Sequence, residues 1–268
     1  MSALTDDSTA LVRYERSGPI ATITLDRPEK LNAFTDQMVR DLAAALRRFD
    51  LDDGAAVAVL AGAGRAFSSG ADVKERQTRP REELVTLPSP EGWDADSSQL
   101  LTRAVHWKPV VAAVHGYVLG MAVGLALECD LVVAAEDARF QILETARGLS
   151  PIRYWALLAW RCGEAVATQI AATGAMVSAG QALEMNMVHR CVPSDGLSSA
   201  AEEAAAELAA MPPLALRALV RARRHRIRQI NEWARYENEL HRLHLSGEFG
   251  DRAAAFVASR SSGQAGER

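Results

Sequence analysis

One stretch of the chain, residues 108–130 (KPVVAAVHGYVLGMAVGLALECD), constrains the fold more than any other. It is apolar almost throughout, and a run of this length can cross a membrane. However, Gly116 and Gly120 interrupt any single helix, and His115 would lack a polar partner in lipid. The stretch is therefore predicted to form a buried strand, a glycine turn and a buried helix inside a globular core.

The helix that follows this glycine turn begins with almost bare backbone. The first N–H groups of any helix have no partner within the helix and carry a partial positive charge. Small residues around Gly120 let a ligand approach these groups closely. The pattern predicts a site for an oxyanion or a polarised carbonyl.

The composition is that of an ordinary globular protein. The 268 residues are 49% hydrophobic, enough for one large domain or a domain with a small appendage. A net charge of -4, from 30 basic and 34 acidic residues, argues against a dedicated nucleic-acid binder. No membrane association is expected either.

The cysteines and the N-terminus indicate a reducing compartment. Cys129, Cys162 and Cys191 are far apart in apolar surroundings, unlike a disulfide framework or a metal cluster, so no metal site is predicted. The first ten residues contain no basic region followed by an apolar run, which is unlike a secretory signal. We expect a cytoplasmic protein.

Alternating strand and helix patterns predict an α/β fold. An edge hairpin (11–15 and 20–25), a helix capped by Thr35 (36–49) and a buried parallel strand (55–61) precede the central stretch. After Pro151 the pattern is helical, with one strand near 188–192. The predicted organisation is a flexible N-terminus (1–10), an α/β core (11–195), a helical region (196–258) and a flexible, disordered tail (259–268). The predicted C-terminal helices cover 154–159, 163–173, 178–185, 197–210 and 213–244.

Two charged segments have separate interpretations. Residues 74–99 are charged and proline-rich, which predicts an irregular connection of the kind that lines a substrate tunnel or forms a lid. An arginine-rich run is interpreted as the solvated face of a long amphipathic helix, with subunit contacts as the next explanation. It comprises Arg217, Arg221, Arg223, Arg224, Arg226 and Arg228.

A second backbone-rich turn, AGAGRAFSSGAD (61–72), follows the buried strand. A dinucleotide-binding loop is disfavoured because Phe67 stands where the third glycine would be. The small residues 68–71 leave the N–H of Ala71 approachable. Together with the start of the Gly120 helix, this N–H predicts an oxyanion hole for a thioester or ester carbonyl.

Four motifs in this order resemble the enoyl-CoA hydratase/isomerase, or crotonase, family. They are RPEKLNAF (27–34), GRAFSSGADVKE (64–75), KPVVAAVHGYVLG (108–120) and CDLVVAAEDARF (129–140). The resemblance implies a spiral of ββα turns, a C-terminal helical region that trimerises, and a homotrimer or a dimer of trimers. It also implies an acyl-CoA thioester substrate and no separate cofactor, because coenzyme A is part of the substrate.

The resemblance assigns roles to particular backbone groups. The oxyanion donors fall on the N–H groups of Ala71 and Met121. Contacts with coenzyme A fall on a set of loop residues, each of which is also an ordinary turn residue. These are Lys30, Leu31, Ser69, Gly70 and Asp72.

Hydratases of the family use two glutamates, and this chain departs from that pattern. The first acid position is Gly124, which is vacant and leaves room; the second falls on Glu144. Glu144 is interpreted as a partly desolvated acid/base, the alternative being an ordinary helix-start carboxylate. Glu128 lies four residues beyond Gly124 and is expected to form a structural ion pair, and His115 to be a hydrogen-bonded core histidine.

A single carboxylate favours one reaction over another. Hydration needs both a water-activating base and a proton donor, whereas one base can move a double bond through a dienolate. The sequence therefore predicts isomerase-like chemistry with Glu144 as the only acid/base. A hydratase with an altered site, an acyl-CoA hydrolase or decarboxylase of the same fold, and a non-catalytic acyl-CoA binder remain as alternatives.

Overall fold

The structure is a computed structural model that describes residues 10–76, 100–241 and 247–263. Most of the predicted tunnel segment (74–99) lies outside the described residues, as do residues 1–9 and 264–268. Strands β1 (Val12–Ser17) and β2 (Ile20–Leu25) pair antiparallel, with Ser17 opposite Ile20. The predicted edge hairpin is therefore confirmed.

Within the described residues, the larger sheet has six strands in the order β1-β2-β3-β4-β6-β9. Its other members are β3 (Val57–Gly62), β4 (Val110–Val114), β6 (Leu131–Ala135) and β9 (Arg190–Val192). All pairs after the hairpin are parallel. Every residue of β4 is buried, which explains why it is apolar without alternation.

A second, smaller sheet has three strands in the order β5-β7-β8. Its strands are β5 (Tyr117–Leu119), β7 (Arg139–Gln141) and β8 (Val177–Ser178). Consecutive strands alternate between the sheets, since β4 and β6 join the larger one and β5 and β7 the smaller one. None of these three short strands was predicted, and β5 lies within the segment predicted as the glycine turn, because two or three residues show no periodicity.

Four helices belong to the described part of the core. They are α1 (Asp36–Leu51), α2 (Val73–Arg76), α3 (Leu100–Ala104) and α4 (Met121–Glu128). The Thr35 side chain accepts a hydrogen bond from Met38 N, as predicted for the cap of α1. The order β1, β2, α1 and then β4, β5, α4 repeats a ββα unit, so the predicted α/β class is confirmed.

The C-terminal third is helical, as predicted. Its helices are α5 (Ile152–Cys162), α6 (Glu164–Thr173), α7 (Ala179–Glu184), α8 (Leu197–Ala209), α9 (Pro213–His241) and α10 (Gly247–Gly263). Helix α10 continues to Gly263, so the prediction that a disordered tail begins at Ser259 is wrong for residues 259–263. A polar composition does not prevent a helix from extending beyond its apolar face.

Two arginines of the basic run are not on a solvated face. Arg224 is fully buried, and its guanidinium donates to Glu128 O and to the Asp130 carboxylate. Arg223 donates to Leu127 O and Glu128 O. These carbonyls belong to the end of α4, where a helix has unpaired acceptors and a partial negative charge. The solvated-face prediction is wrong for these two residues, although Arg217, Arg221 and Arg226 are exposed.

The described residues contain neither a membrane-spanning helix nor a metal-binding cluster. No described helix has the length and hydropathy needed to cross a bilayer. No group of three or more histidine, cysteine, aspartate or glutamate side chains in the described ranges is arranged to hold a metal ion.

Removing the Asp130 carboxylate should destabilise the protein strongly. In Asp130→Ala the buried Arg224 guanidinium loses an acceptor at 2.6 Å, and Val110 N loses one at 2.9 Å. We expect a loss of about 3–5 kcal/mol in the free energy of unfolding, because a buried charge is left without its counter-ion. Urea unfolding at a fixed protein concentration measures this loss.

The matched control is Arg13→Ala, which removes a 2.8 Å ion pair with Asp26 whose side chains are 51% and 32% exposed. We expect this change to cost no more than about 1 kcal/mol, because water screens an exposed pair. Equal losses in the two variants would contradict the structural role assigned to Asp130.

Candidate active site

The turn at Gly70 packs against the start of α4. Gly70 has φ +85°, and a Cβ built on it would lie 2.6 Å from Leu119 O and 3.7 Å from Met121 N. Two further hydrogen bonds fix the approach: Ser68 N donates to Tyr117 O, and Leu119 N donates to Ser68 O. Only glycine fits here, since a side chain would separate the two segments. The structure therefore brings the segments that carry Ala71 and Met121 into contact.

The N–H of Ala71 faces away from its neighbouring strand. Phe34 and Ala71 form a parallel bridge in which Phe34 N donates to Gly70 O and Asp72 N donates to Phe34 O. In such a bridge the N–H of the central residue points to the opposite side. Met121 is the first residue of α4, and no side chain among the described residues caps this helix start. Each N–H is thus placed to donate to a ligand.

Asn32, which the sequence interpretation did not single out, holds the two loops of the site together. Its Nδ2 donates to Ala63 O and Ala66 O, and its Oδ1 accepts from Arg27 N. The residue is fully buried and has φ +52°. Asparagine tolerates this left-handed conformation better than most residues, which is the signal that could have identified it.

The residues predicted to contact coenzyme A lie along this pair of loops. Ser69 N donates to Leu31 O at 2.9 Å, which brings the second loop against the first. Lys30 is exposed beside Leu31, and Gly70 follows Ser69. The Asp72 carboxylate accepts from Arg27 Nη1 at 2.8 Å, so its side chain fixes the loop.

Glu144 places its carboxylate against the start of α4. A Cβ built on Gly120 would lie 2.5 Å from Glu144 Oε1, so only glycine at that position leaves room for the acid. Glu144 precedes the short 3-10 helix Thr145–Arg147, yet its side chain does not cap it. The Glu144 side chain therefore does not act as the cap of its own 3-10 helix.

The electrostatic environment of Glu144 suits proton transfer near neutral pH. Its Oε2 is buried without a hydrogen-bond partner among the described residues. This desolvation raises the pKa of Glu144 from its ordinary 4.5 to about 7, while the positive charges of Arg147 and Arg153 oppose the shift. A carboxyl with such a pKa can both take and return a proton at physiological pH.

The space over Gly124 is filled, contrary to the prediction that the glycine at this vacant acid position leaves room. A Cβ built on Gly124 would lie 2.7 Å from Tyr154 Cε1 and 3.0 Å from Arg153 Nη1. The ring of Tyr154 thus covers the position where hydratases of the family have their first glutamate. The ring also occupies the room at Gly124 that would otherwise keep a hydrolase or decarboxylase open.

Two other polar residues have structural contacts, as predicted. Glu128 is fully buried, and its Oε1 accepts from Arg153 Nη2 at 2.6 Å and from Asn231 Nδ2 at 2.8 Å. The predicted ion pair of Glu128 is therefore confirmed. His115 Nε2 donates to Gly64 O at 2.9 Å, which confirms the hydrogen bond, although the residue is half-buried.

Gly124→Ala should lower the free energy of unfolding in the wild-type protein and raise it when Tyr154 is replaced by alanine. In the wild-type background the new Cβ overlaps the Tyr154 ring, and we expect a loss of about 1–3 kcal/mol. In a Tyr154→Ala background the same change should stabilise by roughly 0.5–1 kcal/mol, because alanine favours the helix over glycine. Urea unfolding of the four proteins gives the coupling energy.

Gly180→Ala serves as the control for this cycle. Gly180 lies in helix α7 with nothing within 4 Å of a built Cβ, so the substitution should stabilise in either background. A similar loss from Gly124→Ala in both backgrounds would contradict the contact between Gly124 and Tyr154.

Comparison with known proteins places the chain in a family. A family model described as enoyl-CoA hydratase/isomerase matches residues 15–248. A probable enoyl-CoA hydratase of Rhizobium meliloti is 34% identical over 249 residues, covering 92% of this chain and 94% of the relative. The 1,2-epoxyphenylacetyl-CoA isomerase of Escherichia coli is 33% identical over 250 residues, covering 90% and 93%.

Solved structures agree with this assignment. An enoyl-CoA hydratase from Mycobacterium avium subsp. paratuberculosis superposes with a TM-score of 0.77 at 28% identity, covering 93% of this chain and 96% of that one. The match extends over both the α/β core and the helical region. The chain therefore belongs to the enoyl-CoA hydratase/isomerase family.

Proposed function

We propose that this protein is an enoyl-CoA isomerase that uses Glu144 as its single acid/base. The similar proteins include both hydratases and isomerases, so membership of the family does not choose between the reactions. We choose isomerisation because of the groups that cover the glycine face of α4, which is formed by Gly120 and Gly124. A carboxylate lies over Gly120 and an aromatic ring over Gly124.

The proposed reaction moves a double bond of a 3-enoyl thioester. The Glu144 carboxylate takes the α-proton, and the electrons of the broken C–H bond form a dienolate. The N–H groups of Ala71 and Met121 donate to the developing oxyanion, a type of interaction commonly worth about 3–4 kcal/mol per donor. Glu144 then returns the proton to the γ-carbon, which leaves a 2-enoyl thioester and the original carboxylate.

The protein is also proposed to bind coenzyme A through its loops and to assemble as an oligomer. We expect coenzyme A to contact the loop residues Lys30, Leu31, Ser69, Gly70 and Asp72, chiefly through their main chain. The reaction uses no cofactor, since coenzyme A is part of the substrate. A homotrimer or dimer of trimers is proposed, supported by large apolar side chains exposed on α9. These include Leu214, Leu219 and Tyr236.

Glu144→Gln should abolish isomerisation while leaving the binding of coenzyme A nearly intact. The amide cannot accept the α-proton, so we expect kcat to fall by about 10²–10⁴-fold. Stopped-flow or coupled assays with a 3-enoyl-CoA measure the rate, and calorimetry with CoA measures the affinity. The exposed Glu184 provides the control, because Glu184→Gln removes a carboxylate outside the site.

Two results would contradict the proposal. Hydration of crotonyl-CoA by the wild-type protein at roughly 10 s⁻¹ or more would show that one acid suffices for hydration here. Tight binding of acyl-CoA with no product from any thioester tested, and no effect of Glu144→Gln, would identify a non-catalytic binder.

The unusual pKa of Glu144 should also be visible in the stability of the protein. The folded state holds the proton up to about pH 7, whereas an unfolded chain loses it near 4.5. Stability contributed by the protonated form is therefore complete below about pH 4.5 and lost as the pH rises through about 7. The loss is about 3 kcal/mol, since each pKa unit corresponds to about 1.4 kcal/mol.

Glu144→Gln removes this titration. Its free energy of unfolding should rise relative to wild type as the pH increases from about 4.5 to about 8. Chemical denaturation at several pH values measures the difference, with Glu184→Gln as the control. A difference that does not change with pH would contradict a raised pKa.

A further inference from the structure

Tyr154 and Glu144 lie over neighbouring turns of one helix face. Gly120 and Gly124 are four residues apart, and Gly124 N donates to Gly120 O at 3.2 Å. Residues at this spacing share a face and are separated by about 6 Å along the axis. Because Glu144 contacts the first glycine and Tyr154 the second, the aromatic ring lies about one turn further along α4 than the acid.

The ring is held in this position from two sides. Gly124, which is buried, lies beneath it, with Cε1 and Cδ1 at 2.7 and 2.9 Å from a built Cβ. The Arg153 guanidinium lies 5.4 Å from the ring centroid. Any movement of Tyr154 towards α4 is therefore blocked by backbone.

Arg153 is in turn fixed by a buried cluster. Its Nη2 donates to Glu128 Oε1 at 2.6 Å, and its Nε donates to Asn231 Oδ1 at 3.1 Å. Asn231 comes from α9 and also donates to Glu128 Oε1. Glu128 lies four residues beyond Gly124, on the same face of α4. The Glu144 carboxylate and the Tyr154 ring cover this face, which also carries Glu128, the residue that holds Arg153.

Tyr154 also keeps a surface away from α4. The residue is half-buried, whereas Gly124 beneath it is buried. The ring therefore covers the helix, while the residue as a whole retains accessible surface. A group that extends from Glu144 along α4 would meet this ring.

We propose that Tyr154 determines acyl specificity, its ring forming the wall that limits this enzyme to short-chain enoyl thioesters. The inference rests on the proposed function, which places the reacting carbons of the thioester beside Glu144, and it adds that the acyl end extends along α4. The bulk of the ring sets the limit, and the hydroxyl group does not. An acyl group of greater length has no space unless Tyr154 is replaced.

The test is the affinity of the full chain for saturated acyl-CoAs of increasing length, which does not depend on turnover. Calorimetry with butyryl-, hexanoyl- and octanoyl-CoA gives the ratio of the octanoyl to the butyryl Kd for each protein. The wild type should bind octanoyl-CoA more weakly than butyryl-CoA. In Tyr154→Ala the ratio should fall by about tenfold or more, because each newly buried methylene tightens binding roughly fourfold.

Two further variants separate ring bulk from other effects. Tyr154→Phe keeps the ring and should retain the wild-type ratio. Tyr154→Leu, which fills more of the space than alanine, should give an intermediate ratio and replaces the alanine variant if that protein does not fold. Circular dichroism and thermal unfolding establish folding before the affinities are compared.

Several outcomes would overturn the inference. Either an unchanged ratio in the folded alanine and leucine variants, or a phenylalanine variant that loses the preference completely, excludes ring bulk as the determinant. Equal affinity of the wild-type protein for octanoyl-CoA and butyryl-CoA would also overturn it, because no limit on acyl length would then exist. These results leave the acid/base role of Glu144 intact, whereas absence of binding to every acyl-CoA contradicts the proposed function and this inference together.

Discussion

The complete burial of helix α4 is the constraint on which the rest of the structure depends. Every residue from Met121 to Glu128 is buried, so the polar groups at both ends of the helix must find partners inside the protein. At the C-terminal end Arg161 donates to Leu127 O and Cys129 O, and Arg223 and Arg224 donate to Glu128 O. Cations at this end also complement the helix dipole.

The N-terminal end of α4 has the opposite character. No described side chain caps it, and the glycine at position 120 brings the Glu144 carboxylate close instead of a capping group. An unpaired helix start and a desolvated carboxylate are both unfavourable in a folded protein. They occur together at the place where we propose that a ligand carbonyl binds, and such a carbonyl would complete the hydrogen bonds of the helix start.

The sequence predicts local features well because their causes are local. The strand, turn and helix of residues 108–130, the Thr35 cap and the hairpin at Ser17 all follow from periodicity and turn chemistry within a few residues. Small residues predict the donor at Ala71 and a donor at the start of the Gly120 helix, the family resemblance assigns the second donor to Met121, and the structure brings the two segments together through Gly70. Periodicity alone does not give that contact, which joins positions fifty residues apart.

The errors have a common physical origin in contacts between distant segments. Arg223 and Arg224 belong to an amphipathic helix whose charges normally face water, yet their partners lie more than ninety residues earlier in the chain. Tyr154 fills the space over Gly124 from a different helix, and a glycine in a sequence does not say what covers it. Asn32 bonds to carbonyls in the next loop, and only its tolerance of positive φ gave a local signal.

The Tyr154 ring over the glycine face affects both the chemistry and the stability of the protein. A glutamate at position 124 would place a second carboxylate one turn from Glu144, beside the Arg153 guanidinium. Replacing that acid with glycine and filling its space with Tyr154 removes a charge from a buried region, where an ion without good partners is costly. The remaining acid keeps its raised pKa through desolvation, so it can be a base and its conjugate acid at the same pH. The proposed isomerisation needs only this one acid, because the same group removes the proton and returns it.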